Sequence, residues 1–149
     1  MDGSTRMVQG WGWSWIALSL ALALHVWDEA VHDFLSVYNP TVRAIREQLP
    51  FLPLPTFSFG IWLTGLILFV LVLLLLSGLA FQGRRWLRPI SYALAVLMIG
   101  NGMLHVFASL YKGEMMPGVY SSPVLIGAAV WLIVQLRKSG KRAGVVRGV

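Results

Sequence analysis

Five of the nine histidine and acidic side chains in this chain fall within one ten-residue run, Leu24-His25-Val26-Trp27-Asp28-Glu29-Ala30-Val31-His32-Asp33. The third histidine, His105, stands one turn after Asn101 in a second apolar stretch. At about 100° per residue, His25, Asp28, Glu29, His32 and Asp33 occupy an arc of roughly 140° on a helical wheel. That i, i+3, i+4, i+7 spacing makes one polar stripe on an otherwise apolar helix, and such a stripe must face something other than lipid.

Two kinds of chemistry fit these residue types. His25, Glu29, His32 and His105 supply nitrogen and oxygen ligands suited to one divalent ion (zinc, iron or manganese), with Asp28 or Asp33 as a spare base. Without a metal, a protonated carboxyl among Asp28, Glu29 and Asp33 forms an acid–base set with a histidine and Asn101. Glu29-x-x-His32 matches the local unit of di-iron bundles, but the chain has no second copy of it. Bis-histidine haem ranks last, because adjacent carboxylates make a poor haem wall. In either scheme the expected catalytic residues are Glu29 as main base, Asp28 as its partner, and His25 and His105. Asn101, Tyr111 and Trp27 are the expected substrate contacts, with Asn101 orienting His105 or the substrate.

These residues need helices to carry them, and the composition says what kind. Of 149 residues, 57% are hydrophobic and 12% charged, and the mean hydropathy is +0.72. A soluble domain carries about twice that charge fraction. There is no cysteine, which excludes disulfides, iron–sulfur clusters and thiolate metal sites. The expectation is an all-α, four-transmembrane-helix bundle forming a single integral membrane domain. Its spans lie at about 11–33, 57–81, 89–111 and 123–137, since about 20 helical residues cross the hydrocarbon core. Residues 34–56 form a loop on the far side, broken by Pro40, Pro50, Pro53 and Pro55, with a short helix between Thr41 and Leu49. Residues 138–149 read as a flexible basic tail.

Orientation follows the basic residues. Arg6, Arg84, Arg85, Arg88, Arg137, Lys138, Lys141, Arg142 and Arg147 share one side, against Arg43, Arg46 and Lys112 on the other. Both termini are therefore expected in the cytoplasm of a bacterial-type plasma membrane. Trp11, Trp13, Trp15 and Trp86 would mark the inner interface, and Trp62, Tyr111 and Tyr120 the outer. The +6 net charge follows this topology and is not read as nucleic-acid binding. Arg6 followed by Ala21-Leu22-Ala23 resembles a secretory signal, but the apolar stretch continues through Trp27. His25 lies ~21 Å beyond Trp11 and His105 ~24 Å beyond Pro89, at 1.5 Å per residue. Both imidazoles therefore sit at similar depth, toward the outer leaflet. Gly100 and Gly102 beside Asn101 would let a neighbouring helix come close.

The pattern resembles the HXXEE family of small polytopic membrane proteins. Its marks are an HXXEE motif, a second histidine downstream and a YXPG motif. His25-Val26-Trp27-Asp28-Glu29 matches the first with Asp28 in place of a glutamate, His105 is the second histidine, and Met115-Met116-Pro117-Gly118 resembles the third with Met115 in place of tyrosine. The resemblance implies that His25, Asp28, Glu29 and His105 act together; it supplies no reaction. The leading expectation is an intramembrane enzyme acting on a lipid or lipophilic small molecule. The alternatives are a small proton-coupled carrier or ion-binding module, and an accessory subunit of a membrane complex. Oligomeric state is left open.

Overall fold

Apolar stretches punctuated by glycine, proline and aspartate at the turns give five helices. The computed structural model describes the backbone of residues 3–145 and the side chains of residues 8–139. The helices are α1 (Gly3–Val31), α2 (Phe34–Gln48), α3 (Phe59–Phe81), α4 (Leu87–Lys112) and α5 (Ser122–Val145). Among the described residues there is no strand.

Each boundary has a local cause. Asp33 takes a left-handed conformation with φ 53°, which aspartate tolerates better than most residues. The first helix therefore stops at Val31, and His32 and Asp33 belong to a tight turn rather than to a span reaching Asp33. After α3, Gly83 adopts φ 68° and the Arg84 N–H reaches back to the Leu79 carbonyl at 3.2 Å, a Schellman-type stop. Gly113, also at φ 68°, ends α4. Pro89 sits in the first turn of α4, where its missing N–H costs nothing.

The segment expected as a proline-broken loop is mostly helix. α2 begins at Phe34 and runs through Pro40 to Gln48, although an interior proline costs about 3 kcal/mol. Residues flanking the proline offset this. The Asn39 amide donates to the Phe57 carbonyl at 2.9 Å and accepts the Phe57 N–H at 3.0 Å, while the Tyr38 hydroxyl donates to the Pro55 carbonyl at 3.1 Å. The extended residues after the helix are thereby tied onto it.

α1 packs along α3 and α5, and α4 packs along α5 while its side chains also reach α1. Gly12 admits the Phe81 ring of α3, and Gly102 admits Ile126 of α5; an added Cβ would come within 2.3 Å and 2.8 Å of them. Gly100, by contrast, faces open space. The core centres on Trp15, Leu18, Leu87, Leu125, Leu132 and Leu136, all fully buried. Trp11 and Trp15, expected at the interface, belong to this core, and Trp62 is buried too. The Trp15 indole N–H donates to the Ser91 hydroxyl at 2.8 Å, which donates to the Leu87 carbonyl at 2.8 Å, so a buried indole is satisfied without water. Trp13 and Trp86 remain exposed.

Three helical stretches are long and apolar enough to cross a membrane: Val8–Val31, Phe59–Phe81 and Leu87–Lys112. α5 is as long, but its apolar run ends at Leu136, before Arg137 and Lys138, and it falls outside that set. α5 also carries the chain as helix through Val145, where a flexible tail was expected; residues 146–149 lie outside the described residues. α3 leaves Ile61, Ile67, Leu68, Leu71, Val72 and Leu75 bare. A continuous exposed apolar face of this kind marks a membrane or protein contact surface.

Candidate functional site

Helical periodicity splits the α1 stripe into two i, i+4 pairs. His25 and Glu29 point into the bundle, and Asp28 and His32 point to the neighbouring face. On α4, His105 meets the first pair. Its Nε2 lies 3.1 Å from Glu29 Oε1, and the His25 Nε2 lies 3.7 Å from the same oxygen. The two imidazole rings meet edge to face with centroids 4.8 Å apart. All three side chains are buried. Asn101, one turn before His105 on α4, places its amide nitrogen 3.0 Å from His25 Nε2. It therefore orients His25, where the expectation was His105 or the substrate.

The turn between α4 and α5 holds the other sides of both rings. The Pro117 carbonyl lies 2.5 Å from His105 Nδ1. A carbonyl only accepts, so His105 carries its hydrogen on Nδ1. Ser121 Oγ lies 2.9 Å from His25 Nδ1 and 2.7 Å from Asp28 Oδ2, with the Gly118 carbonyl farther off at 3.3 Å. The shorter bond to a carboxylate takes the hydroxyl hydrogen. The serine oxygen then accepts from His25 Nδ1, and His25 too is the Nδ1–H tautomer. The Ser121 backbone N–H adds a second donor to Asp28 Oδ2 at 2.8 Å. Gly118 lies between the rings at φ 84°, where an added Cβ would stand 2.7 Å from His105 Nδ1 and 3.1 Å from His25 Cε1. No other residue type fits there. The turn itself is tied down by Ser109 Oγ, which accepts the Met116 N–H at 3.0 Å, and by Ser122 Oγ, which donates to the Gly118 carbonyl at 2.7 Å.

With both Nδ1 atoms committed as donors, both Nε2 atoms turn toward the Glu29 carboxylate, and that of His25 also accepts from the Asn101 amide. The three candidate ligand atoms of His25, Glu29 and His105 share one buried space and lie within 4.8 Å of one another. A tetrahedral ion with bonds of ~2.0–2.1 Å needs ligand–ligand edges of about 3.3 Å. The two edges to Glu29, 3.1 and 3.7 Å, bracket that value, and the edge between the two imidazole nitrogens is no longer than 4.8 Å. The three residues could hold a divalent ion, and partners on the far ring nitrogens are the usual support for such ligands.

The family model described as a protein of unknown function with HXXEE motif matches residues 15–132. The chain belongs to the HXXEE family. In this HXXEE protein the two acids of the motif do different things: Glu29 meets the imidazoles, and Asp28 anchors the serine that steers one of them. The proline and glycine of the downstream motif supply the carbonyl and the clearance that the histidines need. No curated protein and no solved structure matches the chain.

The remaining predicted residues lie elsewhere. His32, expected among the ligands, has a side chain 46% exposed and stands outside the cluster. Its Nδ1 is 2.8 Å from both the backbone oxygen and Oδ1 of Asp28. One N–H serves two oxygens there, and its direction favours the backbone, leaving Oδ1 with a charge contact alone. The His32 ring rests on Tyr120 with centroids 5.1 Å apart. Trp27 is 68% exposed and borders a shallow groove with His32 and Tyr120. Tyr111, at the end of α4, is 92% exposed and contributes nothing to the cluster. Ser121 and the Pro117 carbonyl were not foreseen. The motif at Pro117-Gly118 pointed to the turn, but nothing in the sequence singles out Ser121.

Proposed function

We propose that this HXXEE protein holds one divalent ion, zinc in the first instance, on His25, Glu29 and His105 within the membrane, and uses it to act on a lipophilic substrate. One observation carries the reading: two imidazole Nε2 atoms and a carboxylate oxygen are brought together in a buried space, with both far nitrogens committed as donors. Three protein ligands with space beside them is the pattern of catalytic rather than structural zinc. Such an ion polarises a carbonyl or phosphoryl oxygen and makes hydroxide available near neutral pH. The chain's own part is to hold the two imidazoles in one tautomer through Ser121 and Pro117. It also presents the Asn101 amide beside the reacting position and excludes water with buried apolar walls.

For the membrane arrangement, we infer that α5 makes a fourth crossing, because its apolar residues Pro123–Leu136 run alongside α1 and α4. Nine basic residues against three then support cytoplasmic termini and a centre in the outer leaflet.

Elemental analysis of detergent-purified protein tests the metal. The expected result is one ion per chain in the wild type and in His32→Ala, and loss of the ion in Glu29→Gln and in the His25→Ala/His105→Ala double variant. Equal metal in all four proteins, or none in the wild type after zinc loading, would sink the reading. A second reading, a proton-coupled carrier, rests on the chain of contacts from exposed His32 through Asp28 and Ser121 to His25. Proton flux into proteoliposomes that disappears with Glu29→Gln would favour it over the enzyme.

A further inference from the structure

α3 and α4 diverge from the turn that joins them: α3 lies along α1 and α4 along α5. Between them is a cavity of about 320 Å³. Its walls are Leu22 of α1, Trp62, Leu66 and Phe69 of α3, and Leu97 and Met98 of α4. Trp62, Leu66 and Phe69 follow the i, i+4, i+7 spacing of one helix face, which carries the apolar wall about 10 Å along α3. At one end the lining becomes polar, with His25, Glu29 and Asn101. Phe34 of α2 roofs this end, its ring 5.8 Å from Trp62 and 5.7 Å from His105. The mouth is lateral, since Leu97 is 61% and Phe69 38% exposed.

We propose that this cleft admits the single hydrocarbon chain of a lipid with an uncharged polar head, which slides in sideways from the bilayer and brings its head to His25, Glu29 and Asn101. This rests on reading the cluster as the reactive centre and adds the substrate class to it. A cleft of about 320 Å³ with a lateral mouth seats one hydrocarbon chain. No lysine or arginine lines the cavity, so a phosphate head has no basic side chain along its way in. An alcohol or ester head needs none and finds a donor in Asn101 at the polar end.

Photo-crosslinking of the full chain in lipid nanodiscs tests this, using a fatty alcohol with a diazirine at the far end of its chain. Labelled residues are mapped by mass spectrometry, and zinc content is measured on the same samples. The expected labels fall on Leu66, Phe69, Leu97 and Met98. Leu97→Trp, at an exposed position that accepts bulk, removes the space of about two methylenes. Each methylene is worth roughly fourfold in binding, so labelling drops about fifteenfold. Leu75→Trp, on the opposite face of α3 and 79% exposed, leaves labelling unchanged. Phe69→Ala widens the mouth and raises labelling, which separates a blocked cleft from a misfolded variant. Labels spread evenly over the lipid-facing residues, or equal labelling of L97W and L75W, would overturn the proposal even in protein that holds its zinc. Cleft labelling in protein that takes up no zinc supports the chain site and counts against the metal centre instead.

Discussion

Replacing Gly118 with alanine places a methyl group where two imidazole rings already stand. The added carbon would be 2.7 Å from His105 Nδ1, 2.8 Å from His105 Cε1 and 3.1 Å from His25 Cε1, well inside ordinary contact. The backbone also sits at φ 84°, a region that costs an L residue about 1–2 kcal/mol. Overpacking in a buried site adds about 1–3 kcal/mol, for a combined loss of about 2–5 kcal/mol. Gly113 provides the control. It has the same backbone sign at φ 68°, but its added carbon meets nothing within 4 Å. Gly113→Ala therefore carries the backbone cost alone, about 1–2 kcal/mol, and leaves the cluster untouched. Denaturant titrations of both variants in detergent, followed by circular dichroism, give the two stabilities, and zinc competition with a chelating dye gives the two affinities. G118A is expected to be the less stable by about 1–3 kcal/mol and to bind zinc at least tenfold more weakly. If the two variants lose the same stability and keep the same zinc affinity, Gly118 does not pack between the histidines and the assignment of the turn fails.

Ser121→Ala removes the hydroxyl between Asp28 and His25, so zinc affinity should fall about 10–100-fold, the usual effect of losing a supporting partner, as read by the same competition assay. Ser121→Thr keeps the hydroxyl and should retain most of the affinity. Trp15→Phe deletes the indole bond to Ser91, far from the cluster; it is expected to cost about 1 kcal/mol in stability with no change in zinc affinity. Because the chain has no cysteine, single cysteines report topology directly. Ala44→Cys and Met115→Cys should react with an impermeant maleimide from outside intact cells, and Arg85→Cys only after lysis. Labelling of Arg85→Cys from outside would refute the proposed orientation.

The stripe on α1 was legible because helical period and residue chemistry coincide there. An apolar helix with His25, Asp28, Glu29 and His32 on one side has few ways to hide them. The meeting with His105 was legible for a similar reason, since equal depth along two spans is a matter of counting residues. What could not be read was the division of labour within the stripe. A wheel gives one arc about 140° wide, whereas the folded chain assigns its two edges to different neighbours. Glu29 goes to the α4 histidine, and Asp28 goes to a backbone N–H and hydroxyl 93 residues away. His32 fell outside the cluster because it pairs with Asp28, four residues earlier, on the edge of the stripe that turns away from the α4 histidine. Trp11 and Trp15 turn into the core, where interface statistics for lipid-facing tryptophans do not reach, and the Trp15 indole bonds Ser91 of α4. Pro40 misled because the Asn39 clasp on Phe57, seventeen residues after the proline in sequence, lies beyond the reach of a local rule.

The Ser121–Asp28 contact also couples the centre to the closing of the bundle. Asp28 and the two donors to its Oδ2 stand 93 residues apart, so that oxygen is answered only when the turn before α5 has docked against α1. With the turn detached, a buried acceptor would be left without its partner, at a cost of about 1–3 kcal/mol or more. The turn thus ties the geometry of the imidazoles to the seating of the helices around them.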